Sequence, residues 1–184
     1  MDHYLDISIL SDSEFPTPVL MNGVYTKLHK ALYELAATTI GVSFPKFNYT
    51  LGNVLRIHGK KEVLQDLQNL NWIGSMRGYC DVNPIRLVPA RVKYRTVSRK
   101  QPTISQSKLR RLIKRNSITE NDIRQYKAKM LSKFLDNPYI ELVSGSNGQR
   151  HRRYIELGTL LDEPILGCFD QFGLSKIATV PWFD

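Results

Sequence analysis

The chain has 184 residues, enough for one large domain or two small ones with a real core. Its 26 Lys and Arg against 17 Asp and Glu leave a formal net charge of +9, which points to an anionic partner: nucleic acid, an anionic membrane surface or an acidic protein. No apolar run reaches the ~18 residues of a membrane span, no secretory signal precedes the first strand-like segment, and Cys80 and Cys168, far apart and in no CxxC pattern, argue against a disulfide framework or zinc site and for a reducing cytoplasm.

Tyr4 to Leu10 alternates apolar and polar residues, which predicts a strand. A turn-rich stretch, Ser11 to Pro18, follows. Val19 to Ala37 reads as a helix, with Leu20, Val24, Leu28, Ala31, Leu32 and Leu35 on one stripe. Strands are expected at Ile40–Phe44 and Val54–His58, a short helix at Glu62–Leu70, and a fourth strand within Asp81–Val88. The order β-α-β-β-α-β is that of a ferredoxin-like, RNA-recognition-like unit. The basic-Gly-aromatic-Gly run used by RNA-recognition sheets is absent, and Leu55-Arg56-Ile57-His58 stands in its place. Stacking of single-stranded bases on sheet aromatics is therefore not supported.

After Pro89 the composition changes. Arg91 to Arg115 holds ten Lys or Arg and no Asp or Glu, so the domain boundary is placed there: 1–90 and 91–184. The expected fold class is α+β, a ferredoxin-like domain followed by an α+β domain with an arginine-rich helix at about 105–116. Within Ser107–Arg115, at ~100° per residue, Leu109, Leu112 and Ile113 fall on one arc. Lys108, Arg110, Arg111, Lys114 and Arg115 fall on the other. A solvated charged face normally mixes both signs. A phosphate track accounts for a single-sign arc and brings a steep salt dependence. RNA and DNA both fit, because Gln106 and Ser107 at the helix start can read base edges. A membrane surface fits less well, since the apolar arc has no Trp or Phe anchor.

Ser117-Ile118-Thr119-Glu120 matches a capping box and predicts a further helix to about Leu135. Tyr139–Val143 and Arg152–Leu157 read as strands joined through Asn147-Gly148, a hairpin signal.

Of the four histidines, His3 and His58 sit in strands and His151 in a basic run. His29 lies about 180° from Leu20 on the first helix, beyond the apolar stripe. There is no HxxxH, no HExxH and no carboxylate cluster near a histidine, so neither a metal nor a cofactor is expected. Metal-free RNA cleavage needs less: a ribose 2′-OH beside its phosphate, one histidine, one hydroxyl and nearby cations. Ser144-Gly145-Ser146-Asn147-Gly148-Gln149 reads as a polar turn. In Phe172-Gly173-Leu174-Ser175-Lys176 a glycine turn can bring backbone N–H groups and Lys176 to a phosphate.

Several segments together resemble the type I-F CRISPR repeat-processing endoribonucleases. They are Met1-Asp2-His3-Tyr4-Leu5-Asp6-Ile7, Lys27-Leu28-His29, Ile40-Gly41-Val42-Ser43-Phe44-Pro45, the Tyr94–Gln101 segment, the basic helix, the serine loop 144–149, Gly173-Leu174-Ser175-Lys176 and Val180-Pro181-Trp182-Phe183. The likeness covers nearly the whole chain. It implies a ferredoxin-like domain, and an arginine-rich helix that enters the major groove of a CRISPR repeat stem-loop. It implies that His29 is the catalytic histidine and that Ser144 holds the attacking 2′-OH. Arg99 and Gln101 would read bases at the foot of the stem. Arg110, Arg111, Lys114 and Arg115 would track the groove, with Lys108, Ser146, Asn147, Gln149 and Lys176 as further RNA contacts. Phe172 stands where the family has a tyrosine near the histidine, and it would wall the site without a hydroxyl. His151 stands where the family stacks a phenylalanine on the terminal base pair. The resemblance also implies partner subunits of a type I-F guide-RNA surveillance complex. Two other readings use the same basic helix: a non-catalytic hairpin-binding subunit, and a basic DNA-binding regulator.

Overall fold

The computed structural model describes residues 1–101, 106–132, 137–143 and 148–184. β1 (His3–Ile9), α1 (Thr17–Glu34), β2 (Gly41–Ser43), β3 (Val54–Gly59), α2 (Lys61–Asn69) and β4 (Cys80–Val82) follow one another in the chain. Their strands lie in the order β2-β3-β1-β4, and every neighbouring pair is antiparallel. With the two helices as crossovers, this is the ferredoxin-like arrangement.

The register decides what each sheet face does. Leu5 pairs with Ile57 and Ile7 with Leu55, so these side chains share a face. They join Leu20, Val24, Leu28 and Leu32 of α1 and Leu64 and Leu67 of α2 in the buried core. The α1 stripe is buried as its periodicity predicts, except that Leu35 caps the helix and is only partly covered. The helix starts two residues earlier than expected. Pro18 sits in the first turn, where its missing N–H leaves no intrahelical bond unmade.

The opposite face carries Tyr4, Asp6, Arg56 and His58, paired as Tyr4–His58 and Asp6–Arg56. Arg56 donates from Nε and Nη2 to the Asp6 carboxylate at 2.7 and 3.0 Å, and from Nη1 to the Phe183 carbonyl at 2.7 Å. Its guanidinium also lies over the Tyr4 and Phe183 rings, 4.8 and 4.0 Å from their centroids. The C-terminal residues thus occupy the face on which RNA-recognition sheets stack bases.

Beyond residue 82 come β5 (Arg86–Leu87), β6 (Lys93–Arg95), β7 (Val97–Lys100), α3 (Gln106–Lys114), α4 (Glu120–Ser132), β8 (Tyr139–Val143), β9 (Arg150–Leu157) and β10 (Val180–Trp182). β5 joins the first sheet beside β1, β10 pairs with β6, and β7-β9-β8 form a third sheet. Two compact units result: Met1–Arg99 with Asn137–Asp184, and Lys100–Asp136. No helix among the described residues is long and apolar enough to cross a membrane.

Two expectations need correction. The strand sought across Asp81–Val88 is two short strands, because Asn83-Pro84 interrupts the run and proline has no N–H for a ladder. The cap of α4 is Thr119, not Ser117. Asp122 Oδ2 accepts from the Thr119 N–H at 2.9 Å and from its hydroxyl at 2.7 Å, while the Asp122 N–H donates back to Thr119 Oγ1 at 3.2 Å. Ser117 belongs to the end of α3, where its hydroxyl donates to the Leu112 carbonyl at 3.1 Å.

Candidate active site

His29 stands on the partly exposed edge of α1, next to buried Leu28. Its Nδ1 lies 2.9 Å from the Gln171 carbonyl oxygen. A carbonyl only accepts, so Nδ1 carries the proton, and Nε2 of the neutral ring keeps its lone pair. The imidazole lies flat on Phe172, with centroids 3.7 Å apart and planes 9° from parallel. The Arg153 guanidinium carbon is 3.5 Å from the same phenyl centroid. Two groups this close to one centroid cannot share a face. The phenyl ring is therefore sandwiched between His29 and Arg153.

The loop that presents Phe172 is tied down along its length. Asp170 Oδ1 accepts from the N–H groups of Phe172 and Leu174 at 2.9 and 3.0 Å. Gly173, at φ +69°, donates to the Asp170 carbonyl at 2.8 Å and accepts from the Val42 N–H of edge strand β2 at 3.0 Å. A Cβ at Gly173 would lie 2.8 Å from Val42 Cγ1, so glycine is required there on two counts. Tyr25 of α1 donates its hydroxyl to the Phe172 carbonyl at 2.7 Å, and burial pushes its phenol far up, which keeps it a donor. The Ser175 N–H donates to Val97 at 2.9 Å. Those bonds correct one expectation. The amides of residues 172–175 hold the loop to its neighbours and are not left for a phosphate; only the Lys176 side chain is exposed there.

Arg153 is 7% exposed, and its Nε has no hydrogen-bond partner among the described residues. Burial, and then the Arg99 charge, push it below the usual guanidinium range, while Tyr25 and Asp170 act the other way. Arg99 lies on β7, the strand next to β9, and is partly exposed. His151 is exposed on β9 two residues before Arg153, hence on the same strand face by alternation. Gln101 and Gln149 are exposed. Ser144, Ser146 and Asn147 lie outside the described residues. In the other unit, Lys108, Arg110, Arg111, Lys114 and Arg115 are all exposed along α3 and its last turn, while Leu109 is buried. The basic arc is exposed as the sequence predicts, but of the apolar arc only Leu109 is buried: Leu112 is partly covered and Ile113 is 43% exposed.

Among the described residues no three His, Cys, Asp or Glu side chains gather as a metal-binding group. The structure brings His29 and Phe172 together, places Arg99 on the strand beside that of Arg153, and adds three residues that the sequence reading missed: Tyr25, Arg153 and Asp170. Arg153 had a usable signal. Ile155 is an apolar position of β9, and alternation places Arg153 on the same inward face. Nothing in the local sequence marks Tyr25, which sits on the core face of α1 like any apolar residue.

Residues 4–183 match the model of a family described as CRISPR-associated protein Cas_Csy4. The chain is 39% identical over its full length and all of the relative to a protein named CRISPR-associated endonuclease Cas6/Csy4 from Escherichia coli (strain UTI89 / UPEC). It is 38% identical, again over both whole chains, to a protein of the same name from Pseudomonas aeruginosa (strain UCBPP-PA14). Among solved structures, a CRISPR endoribonuclease Cse3 bound to 19 nt RNA aligns over 98% of this chain and 100% of that one, with 14% identity and a TM-score of 0.39.

Proposed function

The chain belongs to the Csy4 family of CRISPR-associated proteins, and from that premise we propose that it is an endoribonuclease that binds a CRISPR repeat hairpin and cuts precursor CRISPR RNA at the 3′ base of the stem. The names of its full-length relatives support the endonuclease class. The observation that carries the mechanism is the state of His29: one nitrogen tied to a carbonyl, the ring held flat, and Nε2 left as a base.

The chemistry needs no metal, because the substrate supplies its own nucleophile. Nε2 of His29 takes the proton of the ribose 2′-OH just upstream of the scissile phosphate. The oxygen attacks that phosphate, the P–O5′ bond breaks with its electron pair on O5′, and O5′ takes up a proton from water, so the products are a 2′,3′-cyclic phosphate and a 5′-OH. Ser144 holds the attacking hydroxyl, an assignment resting on the family resemblance. Phe172 walls the site. Arg99 and Gln101 read the foot of the stem, and the arginine edge suits guanine. Lys108, Arg110, Arg111, Lys114 and Arg115 track stem phosphates, with Ser146, Asn147, Gln149, His151 and Lys176 as further contacts. The split between a catalytic 1–90 and an RNA-holding 91–184 is one of function rather than of packing, since strands from both share one compact unit. After cutting, the protein keeps its hairpin within a type I-F guide-RNA complex in the cytoplasm.

The test uses paired hairpins in excess chelator, one all-ribose and one with a single deoxyribose upstream of the scissile phosphate. The ribose hairpin should be cut to a cyclic phosphate end. The deoxy hairpin should bind as tightly and stay whole, because duplex phosphates supply the affinity. Cleavage of the deoxy hairpin, or a 3′-OH end from the ribose one, refutes the mechanism. Tight binding without any cutting would instead mark a hairpin-holding subunit.

A further inference from the structure

We propose that Arg153 is a positioning residue of this site: its guanidinium clamps Phe172 from behind and so fixes the plane of the His29 imidazole. The proposal rests on reading His29 as the base. The Gln171 carbonyl holds one ring atom of His29 but leaves the ring able to tip about that bond. What fixes its tilt is the flat contact with Phe172, within 9° of parallel. That contact is only as good as the phenyl ring's own position. Tyr25 and Asp170 pin the backbone of Phe172 through its carbonyl and its N–H, bonds that do not themselves fix the rotation of the ring. On the ring's second face lies the Arg153 guanidinium, 3.5 Å from the centroid.

The chemistry of Arg153 supports this role. A guanidinium presents five N–H donors and is seldom buried without matching acceptors. Here the residue is 7% exposed, its Nε has no hydrogen-bond partner among the described residues, and a second cation, Arg99, stands on the adjacent strand. A hydrophobic residue would cover Phe172 without the desolvation. A planar cation on a ring face adds an electrostatic attraction that an aliphatic chain lacks, and it grows where water is excluded. The stack His29–Phe172–Arg153 therefore forms a rigid three-layer element between α1, the 170–174 loop and β9.

Two readouts test this separately. In wild type the Phe172 ring current should shift the His29 imidazole C–H resonances upfield, and Arg153→Met should move them back toward ordinary positions. Arg153→Met should also slow single-turnover cleavage, by up to about 100-fold for a misplaced base, with hairpin affinity nearly unchanged. In Arg153→Ala, millimolar guanidinium chloride should restore cleavage more than urea, which has the shape without the charge, or than equimolar KCl. Should Arg153→Met fail to melt cooperatively, Arg153→Lys, a cation without a flat face, carries the same expectations. His29 resonances that stay in place refute the clamp. Displaced resonances with wild-type cleavage, or equal rescue by urea, refute the positioning role. If wild type itself cuts no hairpin, the reading of the site fails, and the resonances still decide whether Arg153 holds the stack.

Discussion

His58 and His29 occupy two regions of one unit, and their surroundings separate them completely. His58 is fully buried on the sheet face closed by the C-terminal residues. Ser43 Oγ lies 2.8 Å from its Nε2, and burial, followed by the charge of Arg56, drives its pKa down to about 3. His29 stands at a partly exposed edge, with one nitrogen bonded and its ring held by stacking. A base must meet its substrate and exchange a proton with it. His58 can do neither. The contrast shows that the residue type says little, and that access and a fixed orientation say more.

The sharpest way to break the contrast is His29→Ala. Cleavage of a repeat hairpin under single-turnover conditions should fall by about 100- to 10,000-fold. Affinity should stay near wild type, and the lost stacking should cost about 1 kcal/mol of stability or less. A variant that cuts at wild-type rate would remove His29 from the chemistry.

The place of His29 on the edge of its helix was legible in the sequence, while a catalytic role for it came only from the family resemblance. On an amphipathic helix a residue's angle from the apolar stripe follows from its number, and the stripe is buried as expected. The ferredoxin-like order was legible too, since each strand and helix has its own period. The rest of the site depends on distant pairings. The loop 170–174 meets α1 through Tyr25 and β2 through Val42, about 130 to 150 residues away in the chain. Strands β6, β7 and β10 lie in basic or short segments whose pairing no local pattern announces. The cap of α4 was misplaced by two residues because Ser117 and Thr119 both offer hydroxyls, and only the acid three positions on from Thr119 makes the reciprocal bond.

The closed region can be broken by itself. Asp6 and Arg56 form a bidentate pair with side chains 14% and 7% exposed. Asp6→Ala leaves a buried guanidinium whose remaining contacts among the described residues are the Phe183 carbonyl and two rings. The expected loss is about 3 kcal/mol in urea unfolding. Protein that remains folded should still cut at the wild-type rate. A loss of cutting as deep as that of His29→Ala would show that the two regions act as one.

The smallest effect comes from His58 and is read in pH. Its pKa is 6.5 in an ordinary setting and about 3 in the fold. Between those values the unfolded chain binds one proton more than the folded chain, so stability rises with pH across that window. Above about 6.5 the neutral ring is present in both states and nothing is lost. As pH falls from there toward 3, unfolding is favoured by proton uptake, and the loss levels off only once the folded ring is also protonated. From the ordinary value to pH 5 is 1.5 units, which at ~1.36 kcal/mol each gives about 2 kcal/mol. Slopes that the two proteins share cancel in the comparison, so the measured quantity is a difference. Urea unfolding of wild type and of His58→Gln at pH 7 and pH 5 isolates it. The variant begins less stable, because it disturbs the contact with Ser43, but its fall between the two pH values should be smaller than that of wild type by about 2 kcal/mol. Equal falls would mean that His58 takes up its proton while folded, and the closed region would then be no more sealed than the open one.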